Sequence, residues 1–119
     1  MQYNLKGTEV SITSEVRNYL DKKLSGFDRL LRDSAAARID AEMHFMRNEE
    51  KKYRAEFKFI TPELNDPLRA EAHGKTLHEA IDIATGDLFT ELTRARGKRQ
   101  HFMRRGAERL KQFVRKWRE

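Results

Sequence analysis

Four histidines, His44, His73, His78 and His101, are the only side chains of this 119-residue chain whose ordinary pKa lies near neutrality, and cysteine is absent. Thiol catalysis and cysteine-type zinc sites are therefore excluded. The histidines form no HExxH and no pair at metal-ligand spacing, and no glycine-rich phosphate loop accompanies them. The sequence predicts no catalytic residue, no metal, no cofactor and no small-molecule substrate, hence no enzyme. The residues that can act chemically are cations. From Arg94 to the C-terminus stand Arg94, Arg96, Lys98, Arg99, Arg104, Arg105, Arg109, Lys111, Arg115, Lys116 and Arg118, opposed only by Glu108 and Glu119. That block carries +9 in 26 residues while the whole chain carries +6, so residues 1–93 sum to −3. A local block of one sign points to a polyanionic partner, and dense arginine and lysine with few acids is the composition that releases counterions from nucleic acid.

The elements that position these cations follow from hydrophobic periodicity. Leu77, Ile81, Ala84, Leu88, Leu92 and Ala95 have the three- and four-residue spacing of a helix with one buried stripe, opened by Thr76 as N-cap. Gly97 interrupts the pattern at a cost of about 1 kcal/mol relative to alanine. Beyond it Phe102, Leu110, Phe113, Val114 and Trp117 form a partial stripe, which predicts a separate or bent tail helix. Upstream, Tyr3 and Leu5 share one face of a strand that Gly7 stops. Thr13 reads as an N-cap, Glu15 favours the helix dipole, and Val16, Leu20, Leu24, Phe27 and Leu31 mark a helix over Ser14 to about Leu31.

Ile39, Ala41, Met43 and Phe45 alternate with polar residues, as do Tyr53, Ala55, Phe57 and Phe59 across the polar turn at 47–50. These are two half-buried strands of a hairpin. The two prolines between Thr61 and Pro67 make a loop, and Leu68, Ala70 and Ala72 give a fourth strand ending at Gly74. Each strand offers one apolar face. The expected fold is α+β, in the order β-α-β-β-β-α, a four-stranded, mostly antiparallel sheet with two helices on one face. One domain over residues 1–99 is expected, with 100–119 a basic helical extension. No apolar run reaches membrane-spanning length and the first ten residues lack the continuous apolar run of a leader, so the expected location is the cytoplasm.

Two surfaces can be tested for nucleic-acid binding. The outward sheet positions are Arg38, Asp40, Glu42, His44, Arg54, Glu56, Lys58, Arg69, Glu71 and His73, mixed charge with no aromatic platform on which bases could stack. The tail admits three readings: phosphate binding, self-association or packing back on the domain through Phe102, Leu110, Phe113 and Trp117, and a membrane-surface helix with a thin apolar face.

Asn4-Leu5-Lys6-Gly7, Val10-Ser11-Ile12-Thr13 and Leu77-His78-Glu79-Ala80-Ile81-Asp82 resemble segments of the short ribosome hibernation promoting factors and the ribosome-associated inhibitor protein Y, over residues 1 to about 99. The resemblance implies a domain that binds ribosomal RNA of the small subunit in the channel for messenger and transfer RNA, blocking translation in stress or stationary phase. Lys23, Arg94, Arg96 and Lys98 fall where the family carries Lys or Arg. With Arg99 at the end of the domain and Arg104 and Arg105 of the tail they are the expected ribosomal RNA contacts. Asp87 and Thr90 stand where the family usually has Lys and Arg, and His78 where it has Tyr. The tail does not resemble the dimerising C-terminal domain of the long members. The alternative reading is a diverged member that serves as a protein-interaction or self-associating module through its C-terminal helix.

Overall fold

The computed structural model describes the backbone of residues 1–31, 33–47 and 49–118, and the side chains of those residues up to 97. The element order is β1 (Gln2–Thr8), α1 (Ser14–Asp28), β2 (Arg38–Phe45), β3 (Tyr53–Ile60), β4 (Leu68–Gly74) and α2 (Leu77–Arg118), with one 3-10 turn at Ser34–Ala36. This is the expected β-α-β-β-β-α order. The sheet runs β1-β2-β3-β4, with β1 parallel to β2 and the other pairs antiparallel. A parallel pair cannot be closed by a tight turn, so α1 serves as its crossover.

Alternation in the strands puts Ile39, Ala41, Met43, Ala55, Phe57, Phe59 and Ala72 on one side, where they are buried beneath Val16, Leu20, Leu24 and Phe27 of α1 and Leu77, Ala80, Ile81, Ala84, Leu88 and Leu92 of α2. The Phe27 and Phe59 rings meet at 6.0 Å between centroids where α1 crosses the sheet. Thr85, buried within the α2 stripe, donates its hydroxyl to Ile81 O at 2.7 Å, so no polar group is left unsatisfied there. The caps are those expected. Thr13 Oγ1 accepts from Val16 N at 3.2 Å, and Thr76 Oγ1 accepts from Glu79 N at 3.1 Å.

Three boundaries differ from the sequence reading. Gly7 does not end β1, which pairs on through Gly7 with Met43 and Thr8 with His44. Its role is steric: a Cβ at Gly7 would lie 2.4 Å from Val10 O, because the chain folds back over it immediately after the strand. The helix α1 ends at Asp28, three residues before Leu31. Leu30 N bonds to Phe27 O at 3.0 Å in a tightened last turn, and Leu31 enters the core from beyond the helix. Finally, no separate tail helix forms after Gly97, since α2 continues through it to Arg118. Among the described residues no helix is long and apolar enough to cross a membrane.

Candidate nucleic-acid interface

The helices α1 and α2 lie side by side, and the residues along their seam are polar. Glu15, Tyr19 and Lys23 recur every four residues on α1, as do His78 and Asp82 on α2, so each set forms one row along its helix. The Tyr19 hydroxyl donates to Asp82 Oδ1, and Lys23 Nζ lies 3.0 Å from the same oxygen and 5.5 Å from the centre of the Tyr19 ring. His78 sets its ring edge-on to Tyr19 at 4.5 Å and its Nε2 3.7 Å from Glu15. The Tyr19 hydrogen bond, seconded by Lys23, holds the Asp82 carboxyl below its ordinary value. The same hydrogen bond raises the Tyr19 phenol, and Asp82 raises the Lys23 ammonium. Lys23 is therefore a cation already shared with a carboxylate.

The other expected contacts separate into three kinds. Arg94 is exposed, 60% of its side chain open to solvent, and among the described residues pairs with its helix neighbour Glu91 at 3.0 Å. Arg96 is turned inward, its guanidinium donating to Leu30 O just past the end of α1 and lying 3.7 Å from Glu63 in the β3–β4 loop. Lys98, Arg99, Arg104 and Arg105 lie on the helical backbone of α2, and their side chains fall outside the described residues. The seven therefore do not form one cluster among the described side chains. Lys22 and Arg29, which the sequence reading passed over, are exposed with no ion pair among the described residues. Their seven-residue spacing, with Lys22 on α1 and Arg29 at its C-cap, was the available signal.

The outer surface of α2 carries Asp87 and Thr90, both exposed, together with Ile83 and Phe89, 42% and 45% exposed. The Phe89 ring is held edge-on against Phe27 at 5.9 Å. On the opposite side of the molecule the sheet forms an open trough of about 680 Å³ lined by Asn4, Lys6, Asp40, Glu42, Glu56, Lys58, Arg69 and Glu71 among others. Part of the charge beside it is paired: Arg54 lies 2.6 Å from Glu56 on the same strand and 3.9 Å from Glu71 on β4, and Asn4 donates to Asp40 at 2.9 Å across β1 and β2. The outer sheet positions named above present no Phe, Tyr or Trp ring. Among the described residues the helix side offers Lys22, Arg29 and Arg94 as exposed cations, and the sheet side Lys6 and Arg69.

Residues 3–100 match the family described as Sigma 54 modulation protein / S30EA ribosomal protein. The chain belongs to that family. Two relatives bear the name ribosome hibernation promotion factor. The one from Bacillus subtilis is 25% identical over 99 residues, covering 82% of this chain and 50% of the relative. The one from Deinococcus radiodurans is 33% identical over 90 residues, covering 76% of this chain and 46% of the relative. The chain thus spans about half the length of each. Among solved structures it resembles the N-terminal domain of Thermus thermophilus Protein Y, with 28% identity, a TM-score of 0.63, and coverage of 76% of this chain and 93% of that one. It also shares its fold with a ribosomal subunit interface protein from Coxiella burnetii, at a TM-score of 0.67 and 19% identity, over 82% of this chain and 99% of that one. The family resemblance read from the N-terminal and helix-two segments is therefore correct.

Proposed function

We propose that the chain is a non-enzymatic, cytoplasmic ribosome-binding inhibitor of translation. It occupies the messenger and transfer RNA channel of the small subunit under stress or in stationary phase, and needs no cofactor. The observation that carries this reading is the family match over residues 3–100, to which two relatives named ribosome hibernation promotion factor add the function. Residues 1–99 act as the docking domain and 100–119 as a basic extension that supplies long-range attraction to ribosomal RNA. Arg94, Lys98, Arg99, Arg104 and Arg105 are the principal phosphate contacts, and Lys23 contributes once Asp82 yields it. Sedimentation of stationary-phase lysate on density gradients tests the reading: co-migration with the small subunit supports it, and a small free complex refutes it.

A second reading is favoured by the engagement of Lys23 with Asp82 and of Arg96 with Leu30 O and Glu63. With two family-position cations committed internally, the domain serves as an interaction or self-associating module through its C-terminal helix. The free complex in the same gradient is its expected signature.

A further inference from the structure

On the sheet face away from both helices, Glu42 and Glu56 are cross-strand partners, and His44 follows Glu42 by two residues, so all three side chains leave the same side. His44 Nε2 lies 3.6 Å from Glu42 Oε1 and 3.5 Å from Glu56 Oε2, and the three ligand atoms fall within 4.8 Å of one another. These separations exceed the roughly 2.7–3.2 Å of a hydrogen bond donated by a ring nitrogen. They do match the edge of a tetrahedron around a divalent ion. Bonds of about 2.1 Å to nitrogen and carboxylate oxygen put adjacent ligand atoms about 3.4 Å apart. We propose that Glu42, His44 and Glu56 bind one divalent transition-metal ion of the zinc class, with its fourth position open to the trough.

The surroundings orient the ligands as outer partners of a metal do. Thr8 Oγ1 donates to Glu42 Oε1 at 2.8 Å, and this bond orients the carboxylate and holds it below its ordinary value. Arg54 bonds Glu56 through Oε1 at 2.6 Å, leaving Oε2, the oxygen nearer His44, for the ion. The His44 side chain is 16% exposed and the two carboxylates about a third, so the cluster is sheltered without being closed. Arg54 is also the competing cation: its Nη2 lies 3.3 Å from His44 Nε2 and 2.6 Å from Glu56 Oε1, so an ion must displace it from His44 while it keeps its bond to Glu56. The other charges around the site are Lys6, 3.9 Å from Glu42 Oε1 on β1, and Glu71 and His73, paired at 3.5 Å on β4. Two carboxylates and an imidazole supply −2 to a +2 ion.

The site stands apart from the ribosome reading and its test involves no ribosome. The untagged full chain is titrated calorimetrically with zinc chloride alone at about pH 7.5. One ion per chain is expected to bind in the micromolar range. His44→Ala and Glu56→Gln should each weaken it at least tenfold, Arg54→Gln should strengthen it, and His78→Ala should leave it unchanged. No saturation at one equivalent by the intact chain overturns the site, as does equal binding by His44→Ala. Metal-free thermal melts verify that each variant is folded, and Glu42→Gln replaces any variant that is not.

Discussion

Lys23 Nζ and Asp82 Oδ1 lie 3.0 Å apart across the seam of α1 and α2, so a lysine proposed to face RNA is held by a carboxylate of its own chain. Both side chains are more than a third exposed, so the pair contributes under about 1 kcal/mol to stability after screening. Its larger effect falls on binding. Asp82→Asn is expected to leave the melting temperature nearly unchanged at neutral pH while tightening ribosome binding, measured by pelleting at fixed salt. The Asp82 carboxyl sits below its ordinary 3.8, so its stabilising share is present above that value and lost as pH falls through the lower folded value. Melts of Asp82→Asn should therefore lose this part of the acid sensitivity below about pH 4. An unaltered acid limb together with weaker ribosome binding would show that the pair does not restrain Lys23.

Arg94 and Arg96 are two residues apart in sequence and opposite in use. Arg96→Ala removes a guanidinium from Leu30 O and Glu63 and is expected to lower stability by about 1–2 kcal/mol, with the salt slope of ribosome binding unchanged. Arg94→Ala should leave stability within about 0.5 kcal/mol and reduce the slope by about 0.9, the value for one phosphate no longer neutralised. Chemical denaturation and a salt series on the same two proteins decide it. Equal slopes in both variants would place Arg94 off the interface.

Among the described residues, every buried core residue precedes residue 93. A chain ending at Arg99 should therefore melt cooperatively close to the intact temperature, yet lose most ribosome affinity at moderate salt, because seven of the eleven C-terminal cations are gone. If about six of those charges reach phosphates in the intact chain, log K should fall with log salt at a slope of about −4 to −5. A shortened chain that pellets as well as the full one would remove the tail from the interface.

Asp87 is exposed on the outer side of α2, at a position where the family resemblance implies a base. Asp87→Lys is expected to tighten binding by about 0.5–1.5 kcal/mol, since an exposed charge is reversed without disturbing packing. Unchanged or weaker affinity in a filter assay would mean that this face of α2 points away from RNA.

The strands and both caps were legible because each depends on local pattern. Ile39, Ala41 and Met43 alternate with Asp40 and Glu42, and a strand with one covered face has no other way to place them. What Lys23 and Arg96 touch was not legible, for their partners Asp82 and Leu30 lie 59 and 66 residues away and meet only when the helices dock. Continuation of α2 through Gly97 was misjudged on a local penalty of about 1 kcal/mol. The good helix formers on both sides, Arg96, Lys98, Arg99 and Gln100 among them, outweigh it. The convergence of His44 with Glu56 was hidden for a third reason. It depends on the β2–β3 register, which the turn at 47–50 leaves undetermined by residue type alone.

The parallel pairing of β1 with β2 sets a timetable for synthesis. Gln2 finds its partner Arg38 only after the intervening helix has emerged, whereas β2, β3 and β4 meet in sequence across short antiparallel connections. The first strand made is therefore the last to be installed. As the nascent chain grows, the three-stranded meander assembles ahead of it and the N-terminus stays loose until α1 swings it against β2. In the finished protein the same order should survive as a gradient of protection, β1 amides exchanging with solvent before those of β2 and β3.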